Sequence, residues 1–246
     1  MFGIIDQDEL NFITFLSAAK AYFTAIAALR TWSRGCATSR PAKEPDMPNL
    51  LAIHASPRFE ASISRTLTTS FVDQWQAGHV GGTVVVRDLI ATPPPFVDLA
   101  WMGGAYTPPE THSPEVAAAI RVSNDLVAEL HAADHIVIGT PMFNFSIPAV
   151  LKAWIDQIVR VGVTVSTDNV GLLTGKKATI ILATGGDFSP GSPIEAYNQA
   201  SGYLRQLLAW IGITDVTIIL ADRARAGGNG ENAVACFGSA VTAAAA

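Results

Sequence analysis

From Met47 onward, short uninterrupted apolar runs alternate with longer stretches in which apolar residues recur every three or four positions. The runs at 49–54 (NLLAIH), 83–87 (TVVVR), 135–139 (HIVIG), 178–183 (ATIILA) and 215–220 (DVTIIL) read as strands. Residues 64–76 carry Leu67, Phe71, Val72 and Trp75 at helical spacing, and helices are likewise expected over 114–131, 147–161, 192–210 and the Ala-rich C-terminus. Residues 92–109 read as a Pro-rich loop. A continuous run such as HIVIG suits a strand covered on both faces. Strands in strict alternation with helices bury their apolar surface as a parallel sheet joined by right-handed helical crossovers, so the pattern predicts an open three-layer α/β sandwich. In such sheets ligands bind at the carboxyl ends of the strands.

The first 46 residues break this pattern and are read as an extension, with a single domain over 47–246. Residues 12–29 hold fourteen apolar residues among eighteen, interrupted by Thr14, Ser17, Lys20 and Thr24. That is a weak membrane span. Acidic Asp6, Asp8 and Glu9 precede it and basic residues follow it, the reverse of a cleaved secretion signal. A helical or disordered extension is expected rather than an anchor, joined to the domain by a linker with Pro41, Pro45 and Pro48.

Composition sharpens the picture. Charged residues make up 15% of the chain and the net charge is −5, all of it from Met47 onward, with no basic run to neutralise phosphates. Nucleic acid is therefore not an expected partner. Cys36 and Cys236 are far apart and form no metal-binding spacing, which fits a reducing, cytoplasmic setting.

Three strand-end loops carry candidate chemistry. After the first strand, Ser56, Ser62 and Ser64 place hydroxyls around a helix N-terminus, where free N–H groups favour an anion; an N-cap serine alone is the simpler reading. After the third, Pro141-Met142-Phe143-Asn144-Phe145 offers either an apolar wall for a planar ring or side chains packed beneath the loop. After the fourth, Thr184-Gly185-Gly186 is either a turn or a place where backbone approaches a ligand. The nucleotide-binding patterns GxxxxGK[ST] and GxGxxG after a strand are absent, and so is GxSxG.

Taken together, SPR…SIS at 56–64, PMFNF at 141–145, VGVT at 161–164, LLTGKK at 172–177, TGG at 184–186 and WIGITDV at 210–216 resemble the FMN-dependent NADH azoreductases, or NADH:quinone oxidoreductases, of the flavodoxin-like superfamily. The resemblance implies a five-stranded parallel sheet of order 2-1-3-4-5. It also implies FMN as cofactor, NADH or NADPH as donor, a quinone or azo compound as acceptor, and a homodimer with the flavin near the subunit interface. Residue by residue it implies that Ser56, Ser62 and Ser64, with the Ile63 backbone, hold the phosphate. Pro141, Met142, Phe143, Asn144 and Phe145 would line the ring, and Thr184, Gly185 and Gly186 would approach its pyrimidine side. Hydride would pass through flavin N5, with no protein side chain as catalytic acid or base. The segment between Val163 and Gly171 is shorter than the family pattern and lacks its aromatic residues, for which Phe188 is a substitute candidate at the substrate. That shortening keeps open a second reading, a flavin-binding electron carrier or sensor without turnover of its own. Residues before Met47 have no counterpart in the family pattern.

Overall fold

The computed structural model describes residues 47–222 and 230–246. The expected extension, the apolar stretch at 12–29 and Cys36 lie outside the described residues. Residues 47–96, 123–222 and 230–246 fall in one compact unit, and residues 97–122 belong to another.

The first unit is built on five parallel strands, β1 (Asn49–His54), β2 (Thr83–Asp88), β3 (His135–Pro141), β4 (Lys177–Ala183) and β5 (Asp215–Ala221), in the order β2-β1-β3-β4-β5. The helices are α1 (Ile63–Gly78), α2 (Leu99–Tyr106), α3 (Pro114–Ala132), α4 (Ala149–Ile158), α5 (Gln199–Trp210) and α6 (Gly230–Ala245). The chain steps from β1 to β2 in one direction and from β2 through β3, β4 and β5 in the other. Right-handed crossovers then place α1 on one face of the sheet and α4 and α5 on the other.

On the α1 face, Ile63, Leu67, Phe71 and Trp75 repeat every fourth position and form a buried stripe. They share a core cluster with Leu50, Ala52, Val137, Ile181 and Ile219 of the strands and Ala233 and Val241 of α6. Alternate strand residues point the other way. Leu51, Ile53, Ile136, Ile138, Ile180 and Leu182 are all at most 1% exposed, so the central strands β1, β3 and β4 are covered on both sides. Truncating a fully buried member such as Leu67 to Ala would remove about 2–5 kcal/mol. Close approach on the α1 face requires Gly139, because a Cβ there would stand 2.1 Å from Thr68 Oγ1.

Three boundaries differ from the sequence expectation. The Pro-rich stretch contains a short helix, α2, whose start is capped where the Asp98 carboxylate accepts from Trp101 N–H. The helix expected over 147–161 runs only from Ala149 to Ile158, with Pro148 at its N-cap and Val159 at its C-cap. The helix expected over 192–210 divides into a 3-10 turn, Glu195–Tyr197, and α5, with Asn198 between them as N-cap accepting from Ser201 N–H at 3.0 Å. Among the described residues no helix is long and apolar enough to cross a membrane.

Candidate functional site

The direction of chain connection reverses between β1 and β3, and the crevice beyond their carboxyl ends is where open sheets of this kind bind ligands. Three loops meet there around a cavity of about 140 Å³. It is lined by Ser56, Arg58, Ser62, Ile63 and Ser64 after β1, by Pro141, Met142 and Phe143 after β3, and by Ala183, Thr184 and Gly185 after β4. The structure thus gathers most of the residues singled out in the sequence. Asn144, Phe145 and Gly186 continue the same loops just beyond the lining.

The serines are buried, at 1% exposure for Ser56, 3% for Ser62 and 1% for Ser64. Ser62 does cap α1, its Oγ accepting from Arg65 N–H at 3.3 Å, so the simpler reading of that serine holds. Its Oγ also lies 3.2 Å from Ser64 Oγ, and both face the cavity, so capping and cavity lining coexist. The first N–H groups of a helix have no intrahelical partner, and Ile63 and Ser64 form that turn against the cavity. An anion there meets hydroxyls, the helix N-terminus and Arg58 without a lysine.

The loop is anchored by a residue that the sequence pattern did not single out. Arg65 Nε donates to the Ser56 carbonyl at 2.7 Å, while its Nη1 and Nη2 bond both oxygens of Asp88 at 2.7 and 2.8 Å. Hydrogen bonding from Arg65 is the main reason the Asp88 carboxyl is lowered to about 2, with the Ile90 and Ala91 N–H groups adding to it. His54, at the end of β1, faces elsewhere. It lines a separate cavity of about 590 Å³ with Phe59, Arg65 and Asp73, which shares no lining residue with the serine cavity. Burial, then the Arg65 charge, lowers the His54 pKa, so its ring is neutral near pH 7.

The loop after β3 is strained and open. Phe143 and Ser146 exchange two backbone hydrogen bonds, 2.9 and 3.0 Å, around Asn144 at φ 48° and Phe145 at φ 70°. Two positive φ values in a row make a turn that ordinarily takes glycine at its second position. Phenylalanine there costs about 1–2 kcal/mol. Phe143 and Phe145 are 43% and 49% exposed, so they do not pack beneath the loop. On the opposite side Met142 N–H donates to the Ala183 carbonyl, and Thr184 Oγ1 donates to the Gly186 carbonyl, both at 2.8 Å. A Cβ on Gly185 would meet no protein atom within 4 Å, so the cavity stands open at that backbone. Phe188 is 8% exposed and meets Phe145 edge-on, which makes it a support for that ring.

The cavity is too small to enclose a whole molecule of the size of FMN and would take one end of it. A cavity of about 140 Å³ is smaller than the ~300–1,000 Å³ of a pocket that encloses a whole ligand. It would take the phosphate end, leaving the ring along the open lip formed by Met142, Phe143 and Gly185.

The flavodoxin-like fold family matches residues 48–240. An FMN-dependent NADH:quinone oxidoreductase of Burkholderia lata is 51% identical over 185 residues, spanning 75% of this chain and 88% of that protein. The chain belongs to this flavodoxin-like oxidoreductase family. Another member, the FMN-dependent NADH:quinone oxidoreductase of Nostoc punctiforme, is 52% identical over 179 residues, 72% of this chain and 87% of its own length. The crystal structure of the azoreductase AzrA superposes with a TM-score of 0.71 at 27% identity, over 80% of this chain and 99% of that one.

Proposed function

We propose that this family member is an FMN-dependent NADH:quinone oxidoreductase that also reduces azo compounds. The observation that carries the reading is the cavity at the β1/β3 crevice, where three buried serines and a helix N-terminus face the Met142–Phe143 wall and the open backbone at Gly185. Bound FMN would supply two-electron hydride chemistry at its ring. Ser56, Ser62, Ser64 and the Ile63 backbone would hold its phosphate. Pro141, Met142, Phe143, Asn144 and Phe145 would orient the ring, and the Thr184, Gly185 and Gly186 backbone would approach its pyrimidine edge, where N–H dipoles stabilise negative charge. Donor and acceptor would use the same opening in turn, a ping-pong order, with no side chain acting as acid or base.

In this reading residues 47–246 are the cofactor domain of a cytoplasmic homodimer, with residues 1–46 an extension to it. Exposed Leu99, Met102 and Tyr106 on α2 offer apolar surface to a partner subunit. The test is steady-state oxidation of NADH or NADPH by the FMN-loaded protein with menadione and with an azo dye. Sustained turnover with both acceptors is expected. A protein that holds FMN but turns over neither acceptor is a carrier or sensor instead.

A further inference from the structure

Beside the cavity, Phe145 of the loop after β3 gathers two further aromatic rings, buried Phe188 and exposed Tyr197, and Tyr197 has no part in the core or the cofactor reading. Phe145 is 49% and Tyr197 54% exposed, yet their ring centroids lie 5.2 Å apart with planes tilted by 37°. Buried Phe188 meets Phe145 at 6.4 Å, nearly edge-on at 70°. Backbone geometry fixes the arrangement. Gln199 N–H donates to the Phe145 carbonyl at 3.1 Å, tying the turn after β3 to the start of α5. The 3-10 turn that carries Tyr197 is closed by Asn198 N–H to the Glu195 carbonyl at 2.9 Å. Ile194, just before that turn, places its Cδ1 3.1 Å from where a Cβ on Gly186 would stand, so the turn rests on the glycine loop that lines the cavity.

The strained φ of Phe145 holds its ring beside Tyr197, and both rings remain half open to solvent. A planar ring laid on one of two faces tilted by 37° meets the other at an angle, which combines offset stacking with edge contact. We propose that Tyr197 is a specificity-determining residue for the electron acceptor. With Phe145, and with Phe188 behind it, it receives the aromatic ring of the acceptor and favours fused or extended rings over acceptors with no ring to stack. This rests on the oxidoreductase reading above. The ring, rather than the hydroxyl, carries the effect.

The test uses the FMN-loaded protein with Tyr197→Ala and Tyr197→Phe, both at an exposed turn. Protein reduced anaerobically with NADH is reoxidised in a stopped-flow instrument by menadione and, separately, by ferricyanide, which offers no ring. The oxidised protein is titrated with 2-naphthol, which is not reduced, and the flavin absorbance change is followed. Tyr197→Ala is expected to slow reoxidation by menadione about three- to tenfold and to raise the 2-naphthol Kd by a similar factor, with the ferricyanide rate unchanged. Tyr197→Phe is expected to keep wild-type values. An unchanged 2-naphthol Kd, or menadione and ferricyanide rates that fall together, would overturn the proposal. If the wild-type protein holds FMN but NADH does not reduce it, the oxidoreductase reading falls instead, and the 2-naphthol titration still decides the role of Tyr197.

Discussion

Replacing Asp88 by Asn releases the clamp that holds the serine loop. In the folded chain the Asp88 carboxyl is lowered from 3.8 to about 2, first by its hydrogen bonds from Arg65. At 1.36 kcal/mol per pKa unit this corresponds to about 2 kcal/mol. The side chain is 24% exposed, so solvent screening brings the contribution to roughly 1–2 kcal/mol. The sign follows from the lowered value. The contribution is complete above the unfolded pKa near 3.8 and is lost as pH falls toward about 2. Urea unfolding of wild type and Asp88→Asn, near pH 7 and near pH 2, isolates it. The variant is expected to be less stable near neutrality, and the gap is expected to shrink by roughly 1–2 kcal/mol in acid. Because Arg65 also bonds the Ser56 carbonyl, FMN affinity is expected to fall together with stability. A gap that is the same at both pH values would refute the charge argument, and unchanged FMN affinity would refute the coupling to the loop.

Ser62→Ala removes the α1 cap, expected to cost about 1 kcal/mol in urea or thermal unfolding. It also removes a phosphate ligand, expected to weaken FMN binding about tenfold or more in a fluorescence titration. Gly185→Val, where a Cβ meets no protein atom within 4 Å, is expected to leave the melting temperature near wild type while abolishing FMN retention through gel filtration. At φ 70°, Phe145→Gly is expected to be more stable than Phe145→Ala by about 1 kcal/mol, the reverse of their order in a helix; equal stabilities would argue against the strained turn. Burial, then the Lys177 charge, lowers His135 from 6.5 to about 4, so the unfolded chain takes up a proton first as pH falls. Wild type is therefore expected to lose about 2 kcal/mol between pH 6.5 and about 4.5, and His135→Gln to lose less, as read from urea midpoints.

Strands buried on both faces announce themselves as unbroken apolar runs, which is why HIVIG in β3 and ATIILA in β4 were plain in the sequence. The strand-end loops were legible for the same reason, since a strict alternation of elements tells where each strand must end. The short helix α2 was not, because Leu99–Tyr106 is apolar on all sides and includes Gly103 and Gly104, which leaves no helical stripe to read. Pro193 stands inside the 192–210 stretch, and the periodic part starts only after the Asn198 cap. Arg65 and Asp88 are 23 residues apart, and their meeting depends on how α1 lies against the end of β2. No local spacing encodes it. Tyr197 reaches Phe145 through a turn packed against a distant loop, and it was equally silent.

The most direct test of the account is an anaerobic spectrophotometric titration of the FMN-loaded protein, first with NADH and then with menadione. One equivalent of NADH is expected to bleach the bound flavin's visible absorbance, and one equivalent of menadione to restore it. A protein that retains no FMN, or whose bound flavin keeps its absorbance in excess NADH, would contradict the account.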